Sequence, residues 1–445
     1  MNNSEKNKKN PFYSSWIAFA VFVFTIIFQP YKATFFAIRP SDLWLLLCLF
    51  FQLKNGYNIS IPFRNRFLIR NYGLFIGMLA IIATVIQACY ANLSLNISFV
   101  FSFYRFLRFL LIFKFVENII FNFSIDDARK FWKLYTLIGL VVIILSFLEF
   151  NNIQPFKFII MDQYFYMPES TFEEYLIKVN RLAGVMGNAN ATAILLVSTM
   201  PYPMLRIVSG EGRLIKKILY IGYIFAVVFV LVVMTGSRTA IFISLLIPFI
   251  ILFAASRRLK EVLSVIILTL LLAGIGGYMY HRFKSEIIVQ DRITNTIQGE
   301  DFQLSATGLG KWTGRYELWQ DRLRTFNNEG NQLAILIGLG YTKTYEDYAD
   351  NGLLSAFINN GITGLILKLF LFFIFIKFGL LMAIHYYRWN EIDISCLVFA
   401  ISAFTLLLWE LTADLTEHYK LGQLFYLFLS TIMIINGKIS ATNGQ

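Results

Sequence analysis

Apolar runs close to twenty residues long, separated by short polar breaks, recur from one end of the chain to the other. An α-helix needs about 20 apolar residues to cross a bilayer, so the pattern predicts about twelve membrane-spanning helices. Their expected limits are 14–30, 35–53, 68–90, 97–118, 132–150, 186–207, 215–234, 238–255, 261–280, 352–384, 394–410 and 419–436. Two spans depart from the pattern. Arg39, Pro40 and Asp42 interrupt the second; Arg105, Arg108 and Lys114 lie inside the fourth, which reads as partly interfacial. No internal repeat relates the two halves. The expected fold is all-α: one polytopic membrane domain over 1–445, with long connections at 151–185 and 281–351.

The distribution of Lys and Arg orients the spans, because basic residues concentrate in cytoplasmic connections. One set of connections holds Lys6, Lys8 and Lys9, then Lys54, Arg64, Arg66 and Arg70, then Arg129, Lys130 and Lys133. It continues with Arg206, Arg213, Lys216 and Lys217, and with Arg257, Arg258 and Lys260. The alternate set is neutral or acidic: in 151–185, Asp162, Glu169, Glu173 and Glu174 outnumber Lys157, Lys178 and Arg181. Lys32 and Arg39 in the first outer connection are the exception. Both termini are thus expected in the cytoplasm, and both long connections outside. Connections over about 15 residues are usually functional or disordered. Within 281–351, "YELWQDRLRTF" has helical spacing and precedes the turn-forming "GLGY", so this loop is expected to be partly helical.

Composition agrees. The chain is 57% hydrophobic and 15% charged, against about 25% charged in soluble domains. A net charge of +12 could suit nucleic acid, but the placement of the basic residues in alternate connections explains it without such a partner. Cys48, Cys89 and Cys396 all lie in apolar runs, as packing residues, with no disulfide framework or metal-ligand spacing. The basic start "MNNSEKNKKN" leads into an apolar run without a small-residue cleavage site, which reads as a retained first span.

Four polar features are assigned to the outer face. "NRLAGVMGNANATAILL" at 180–196 carries Arg181, then Gly184 and Gly187, which allow close backbone approach, and Asn188 and Asn190, which can contact a ligand. "TGSRTA" sets Ser237 and Arg238 at the start of the eighth span. "TGRYELWQDR" places Arg315 near the start of the loop helix, with Arg322 seven residues on. "DYADNGLLSAFINNGITGLI" puts Asp350 and Asn351 where the loop enters the tenth span. Arginine presents a permanently charged fork that matches phosphate oxygens, and helix starts add their positive ends. A carboxylate beside such a site can take a proton from a hydroxyl nucleophile.

Each feature also has a purely structural reading. Arg238 can snorkel to the interface, having avoided the roughly 2.5–3.5 kcal/mol charged by a helix centre. Arg181 and Arg315 can be solvated loop charges, and Asp350 can cap the tenth span. Gly361 and Gly364 read as packing residues within that span. Glu410, Asp414, Glu417 and His418 follow helical spacing and read as a solvated face; His281 and His385 have no partner by spacing.

In order and spacing, "RLAGVMGNANATA", "TGSRTA", "GRYELWQDRLRTF", "LIGLGY" and "DNGLLSAFINNGITGLI" resemble the O-antigen polymerase and O-antigen ligase family of bacterial surface-polysaccharide enzymes, over roughly 180–370. The early "IRPSDLWLLL" is similar as well. The resemblance implies a GT-C-like glycosyltransferase in the bacterial plasma membrane, working at its outer face without metal or other cofactor. It implies an undecaprenyl-diphosphate-linked glycan as donor, with Arg181, Arg238 and Arg315 on the diphosphate. Asp350 is then the expected base, and Asn188, Asn190, Ser237, Arg322 and Asn351 contribute to substrate binding. The ligase branch typically carries His-Asn where this chain has Asp350-Asn351, which favours a polymerase of O-antigen or capsule, served by a flippase and a chain-length regulator. The rival readings are a ligase of the same fold and a non-enzymatic transporter of lipid-linked glycan. Transporters often have repeated halves and ionisable groups near the membrane midplane, whereas here the halves look unrelated and the charges gather at the outer interface.

Overall fold

The computed structural model describes residues 15–30, 39–54, 97–120, 124–151, 153, 182, 184–210, 213–256, 258–282, 352–389, 391–411 and 419–442, with short pieces between 320 and 338. All regular structure among the described residues is helical. The helices are α1 (Trp16–Phe28), α2 (Pro40–Lys54), α3 (Ile97–Ile120), α4 (Ile125–Phe150), α5 (Ala189–Thr199) and α6 (Pro201–Val208). They continue as α7 (Leu214–Phe229), running into a π-helical turn at Val230–Thr235, then α8 (Arg238–Ala255) and α9 (Leu259–Arg282). The last three are α10 (Gly352–Tyr387), α11 (Ile394–Leu408) and α12 (Tyr419–Thr442). Among the described residues, 6 helical stretches are long and apolar enough to cross a membrane, and Trp16–Phe28, Thr239–Ala254 and Ile394–Leu408 are shorter apolar helices. The expected span 68–90 lies outside the described residues.

Local chemistry moves several expected boundaries. α4 starts at Ile125 rather than 132, because Ser124 and Asp127 form a reciprocal capping box. Arg129, Lys130 and Lys133, expected in a connection, therefore sit on its first turns. The expected span 186–207 is two helices, α5 and α6, joined at Met200 ahead of Pro201 and Pro203. Proline suits the first turn of a helix and breaks an interior, so the second piece begins there. The expected span 352–384 is also not one rod. Gly361 has φ 62 and ψ −159, outside helical space, and divides α10. Gly361 therefore makes a break rather than a packing contact, whereas Gly364 does pack: a Cβ there would meet the Ala356 carbonyl oxygen at 2.8 Å and overlap Asn360.

The core lies around α12, whose residues 420–436 are all buried, and α5, also buried nearly throughout. A helix without a solvated stripe belongs in the middle of a bundle. Aromatic rings join α1, α4, α11 and α12: Phe131 lies 4.8 Å from Phe19 and 5.5 Å from Phe399, and Trp132 lies 5.6 Å from Phe428. Trp132 Nε1 donates to the Ser395 carbonyl at 2.8 Å, satisfying the polar end of a buried indole. At the same end, Asp393 caps α11 and accepts from Arg129 at 2.7 Å. Burial pushes the Asp393 carboxyl up, but the hydrogen bonds from Ser395 and Arg129 outweigh it and hold it below the usual range. His385, unpartnered by spacing, bonds Glu391 across the preceding turn. By contrast Leu219, Phe253 and Leu270 on α7, α8 and α9 are exposed, as suits faces that meet lipid chains.

The two spans that depart from the apolar pattern explain each other. Asp42 on α2 accepts from Arg108 of α3 at 3.1 Å, from Gln423 of α12 at 3.2 Å and from the Arg39 backbone N–H at 3.2 Å. Both charged side chains are buried, so Arg108 makes α3 an internal helix at this level rather than an interfacial one. Farther along α3, Asn118 donates to Gln52 at 2.7 Å. Removing one member of a buried ion pair costs about 3–5 kcal/mol, whereas replacing both with apolar residues is often close to neutral. Asp42→Ala is accordingly expected to lower the thermal aggregation midpoint and membrane abundance sharply, and Asp42→Leu with Arg108→Met to recover most of both.

Candidate functional site

One end of the bundle collects buried charges and helix termini among the described residues. α1 finishes there and α2, α5, α8 and α12 begin there, so the helices' polar termini meet at a common level. Lys420, buried at the start of α12, donates to the carbonyl of Ile27 at 2.9 Å and to that of Val185. Glu149, near the end of α4, accepts from the Gly184 backbone N–H at 2.9 Å. These two bonds hold the glycine-rich turn at 184–187 between opposite charges. Gly184 has φ +66, and a Cβ there would meet Thr192 Oγ1 at 2.5 Å; both the left-handed backbone and the close approach require glycine.

The same turn is tied to the segment before Arg238. The backbone N–H of Leu182 donates to the carbonyl of Met234 at 3.4 Å. Met234 lies in the π-helical turn, which Gly236 closes with a left-handed φ of 55. A π turn carries an extra residue, leaves the regular bonding ladder and recurs at functional sites. Leu182 follows Arg181 directly, and Met234 precedes Arg238 by four residues, so the fold brings together the chain segments that carry these two arginines. α5 and α8 also pack against each other, and both start here, directing two positive helix ends to one region.

The expected contact residues fall as follows. Asn188 is the cap of α5: its side-chain oxygen accepts from Asn190 N at 2.8 Å and Ala191 N at 3.3 Å. Ser237 is the buried cap of α8, accepting from Ala240 N at 3.4 Å. Asn190 lies in the first turn of α5, partly buried. Arg238 is the first residue of α8; its side chain lies outside the described part of the structure. Arg322 sits on a helical turn, partly buried. Arg181, Arg315, Asp350 and Asn351 lie outside the described residues. The loop helix carrying Arg322 is anchored through Phe326, buried against Ile358, with its ring 5.0 Å from that of Phe357.

Charged groups that sequence reasoning passed over complete this end. Lys368, wholly buried on α10, pairs with the equally buried Glu410 and donates to the Gly352 carbonyl at 2.6 Å. Glu410 is thus not part of a solvated face, as its spacing with Asp414 and Glu417 suggested; the 3₁₀ turn Trp409–Leu411 carries it inward. Asp414, Glu417 and His418 lie outside the described residues. Glu149, Lys368 and Lys420 share one sequence signal, a charge beside or within an apolar run, which marks a functional or bracing position in a membrane helix. Among the described residues no group of three His, Cys, Asp or Glu side chains gathers where it could hold a metal ion.

No curated protein matches the chain. Residues 223–369 match a family model described as O-antigen ligase. The matched stretch takes in the π turn, Ser237, Arg238, Arg315, Arg322, Asp350, Asn351 and α10 as far as residue 369, its break at Gly361 included, while Arg181 and the 184–187 turn precede it. With membrane-length apolar helices on both sides, residues 223–369 are thus similar to the O-antigen ligase family within a chain of membrane-protein character.

Proposed function

We propose that the protein is a polysaccharide polymerase. It joins undecaprenyl-diphosphate-linked repeat units of O-antigen or capsule at the outer face of the bacterial plasma membrane, with both termini cytoplasmic. The observation that carries the reading is the family match over 223–369, joined to the hydrogen bond from Leu182 to Met234 that draws the Arg181 and Arg238 segments together. The acceptor's sugar hydroxyl attacks the anomeric carbon of the donor glycan. A new glycosidic C–O bond forms as the bond to the diphosphate breaks, and the lipid diphosphate leaves with an added negative charge. Arg181, Arg238 and Arg315 bind that diphosphate, with the starts of α5 and α8 contributing positive potential. Asp350 takes the hydroxyl proton, with Asn351, Asn190 and Arg322 positioning the sugars. Asn188 and Ser237 serve the site through the helix starts that they cap. Arginines neutralise the leaving group in this scheme, so the transfer proceeds without a metal. A flippase supplies the lipid-linked units and a chain-length regulator acts on the product.

A ligase reading is favoured by the description of the matched model. Loss of a polymerase leaves single repeat units on the acceptor; loss of a ligase leaves none. In a strain lacking the gene, surface glycan on a gel is expected to show single-repeat bands, with the wild-type chain restoring the ladder. Arg238→Ala at normal membrane abundance is expected to cut polymer at least tenfold, an effect of about 1.4 kcal/mol or more on the barrier. Arg238→Lys is expected to fail as well, since an ammonium cannot replace a two-pronged fork. A full ladder from Arg238→Ala would reduce this arginine to an interfacial anchor.

The 184–187 turn gives a second test. Gly184→Ala forces a non-glycine residue into the left-handed region, at roughly 1–2 kcal/mol, and pushes on Thr192. Polymer yield is expected to fall more than membrane abundance does. Equal falls in both would make the turn a folding element only.

A further inference from the structure

We propose that Lys368 and Glu410 form a positioning pair that fixes the entrance to α10, the helix that begins directly after Asp350 and Asn351 in the chain; this inference rests on the glycan-transfer reading of those two residues. Two features carry it: where α10 folds back, and what holds it there.

In a straight helix, residues 352 and 368 would lie about 24 Å apart, at 1.5 Å per residue. Lys368 Nζ nevertheless donates to the Gly352 carbonyl at 2.6 Å. The chain therefore doubles back at Gly361, whose φ of 62 and ψ of −159 leave helical space. Residues 352–360 form a short helix folded against the continuing span, and the Gly364 contact with the Ala356 carbonyl lies inside that fold. Irregular backbone at membrane depth is tolerated where it is buried in protein or lines a cavity, and broken helices mark binding sites in membrane proteins.

The lock is a buried ion pair. Lys368 and Glu410 are 0% and 2% exposed. Glu410 belongs to the turn at the end of α11, so the pair joins three pieces of chain: the start of α10, its second half and the α11 terminus. Gly352 is fitted to this arrangement, because a Cβ there would overlap the Glu410 carboxylate and approach Lys368 Nζ to 2.7 Å. A buried ion pair is weak ground for stability, since apolar residues of similar size often do as well. Its distinctive contribution is direction: one ammonium holds one carbonyl, and that carbonyl belongs to the residue after Asn351. The folded-back helix also carries Phe357 and Ile358, which seat Phe326 of the loop helix. The pair thus sets the position of the entrance and of the loop that rests on it.

The test separates position from charge and from activity. Lys368→Met with Glu410→Leu removes both the charge and the hydrogen bond; Lys368→Gln with Glu410→Gln keeps donors and acceptors without charge. Spin labels at 353 and 380, in a chain whose three cysteines are alanine, report the distance across the fold. The wild-type distribution is expected to be narrow. The Met/Leu variant is expected to accumulate normally, broaden that distribution and lose at least tenfold of its polymer. The Gln/Gln variant is expected to keep a narrow distribution and more than a third of its polymer. A Met/Leu variant with a narrow distribution and a full ladder would overturn the proposal. So would a Gln/Gln variant that is as narrow as wild type yet as inactive as Met/Leu, because charge rather than position would then matter. If Met/Leu fails to accumulate, the Gln/Gln variant decides alone by the same two readouts. A broadened Met/Leu distance in a chain that alters no glycan would sink the transfer reading and leave the lock intact.

Discussion

A charge buried in an apolar bundle must find an opposite charge or a set of hydrogen bonds, because desolvation costs several kcal/mol per ion. That constraint organises one end of this protein. Asp42 and Arg108 join α2 to α3 and, through Gln423, to α12. Lys420 joins α12 to the last turn of α1 and to the glycine-rich turn. Glu149 grips that turn from α4. Lys368 and Glu410 join the two halves of α10 to the end of α11. Each bond carries direction that apolar packing lacks, and together they fix the level at which the helices begin and end.

The candidate site depends on that level. Arginines can cooperate on one diphosphate only if their chain segments arrive together. The Leu182–Met234 hydrogen bond and the packing of α5 on α8 bring together the segments carrying Arg181 and Arg238. Phe326 against Phe357 and Ile358 does the same for the loop helix and the folded-back start of α10. The π turn, the left-handed Gly184 and Gly236 and the reversal at Gly361 all fall in or beside these segments. Regular helices supply the frame, and departures from regularity fall in or beside the segments that carry the candidate residues.

Hydrophobic length and periodicity are enough to read the helical class and the rough positions of helices, since eleven of the expected segments overlap a described helix, 6 stretches being long and apolar enough to cross a membrane. The α8 limits were read to the residue, because Ser237 and the preceding Gly236 punctuate the run. Capping chemistry at Ser124 and the prolines at 201 and 203 are also legible in the sequence, and they set the start of α4 and the α5–α6 break where hydropathy alone does not. The family resemblance was likewise written in the order of short polar motifs, which the match over 223–369 supports.

What the sequence by itself determined is what depends on neighbours along the chain: helix type, membrane-length apolar runs, caps, and the motifs that mark a family. Pairings across long separations were decided only by the tertiary structure. Asp42 and Arg108 are 66 residues apart, and Lys420 reaches carbonyls 393 and 235 residues away. No local pattern encodes those partners, so Arg108 read as interfacial and Glu410 as solvated. The reversal of α10 has the same cause: Gly361 permits a break, but the angle at which the chain returns is set by Lys368 reaching Gly352 beside Glu410. Local sterics fix how each segment folds; burial of charge in an apolar medium fixes which segments must meet.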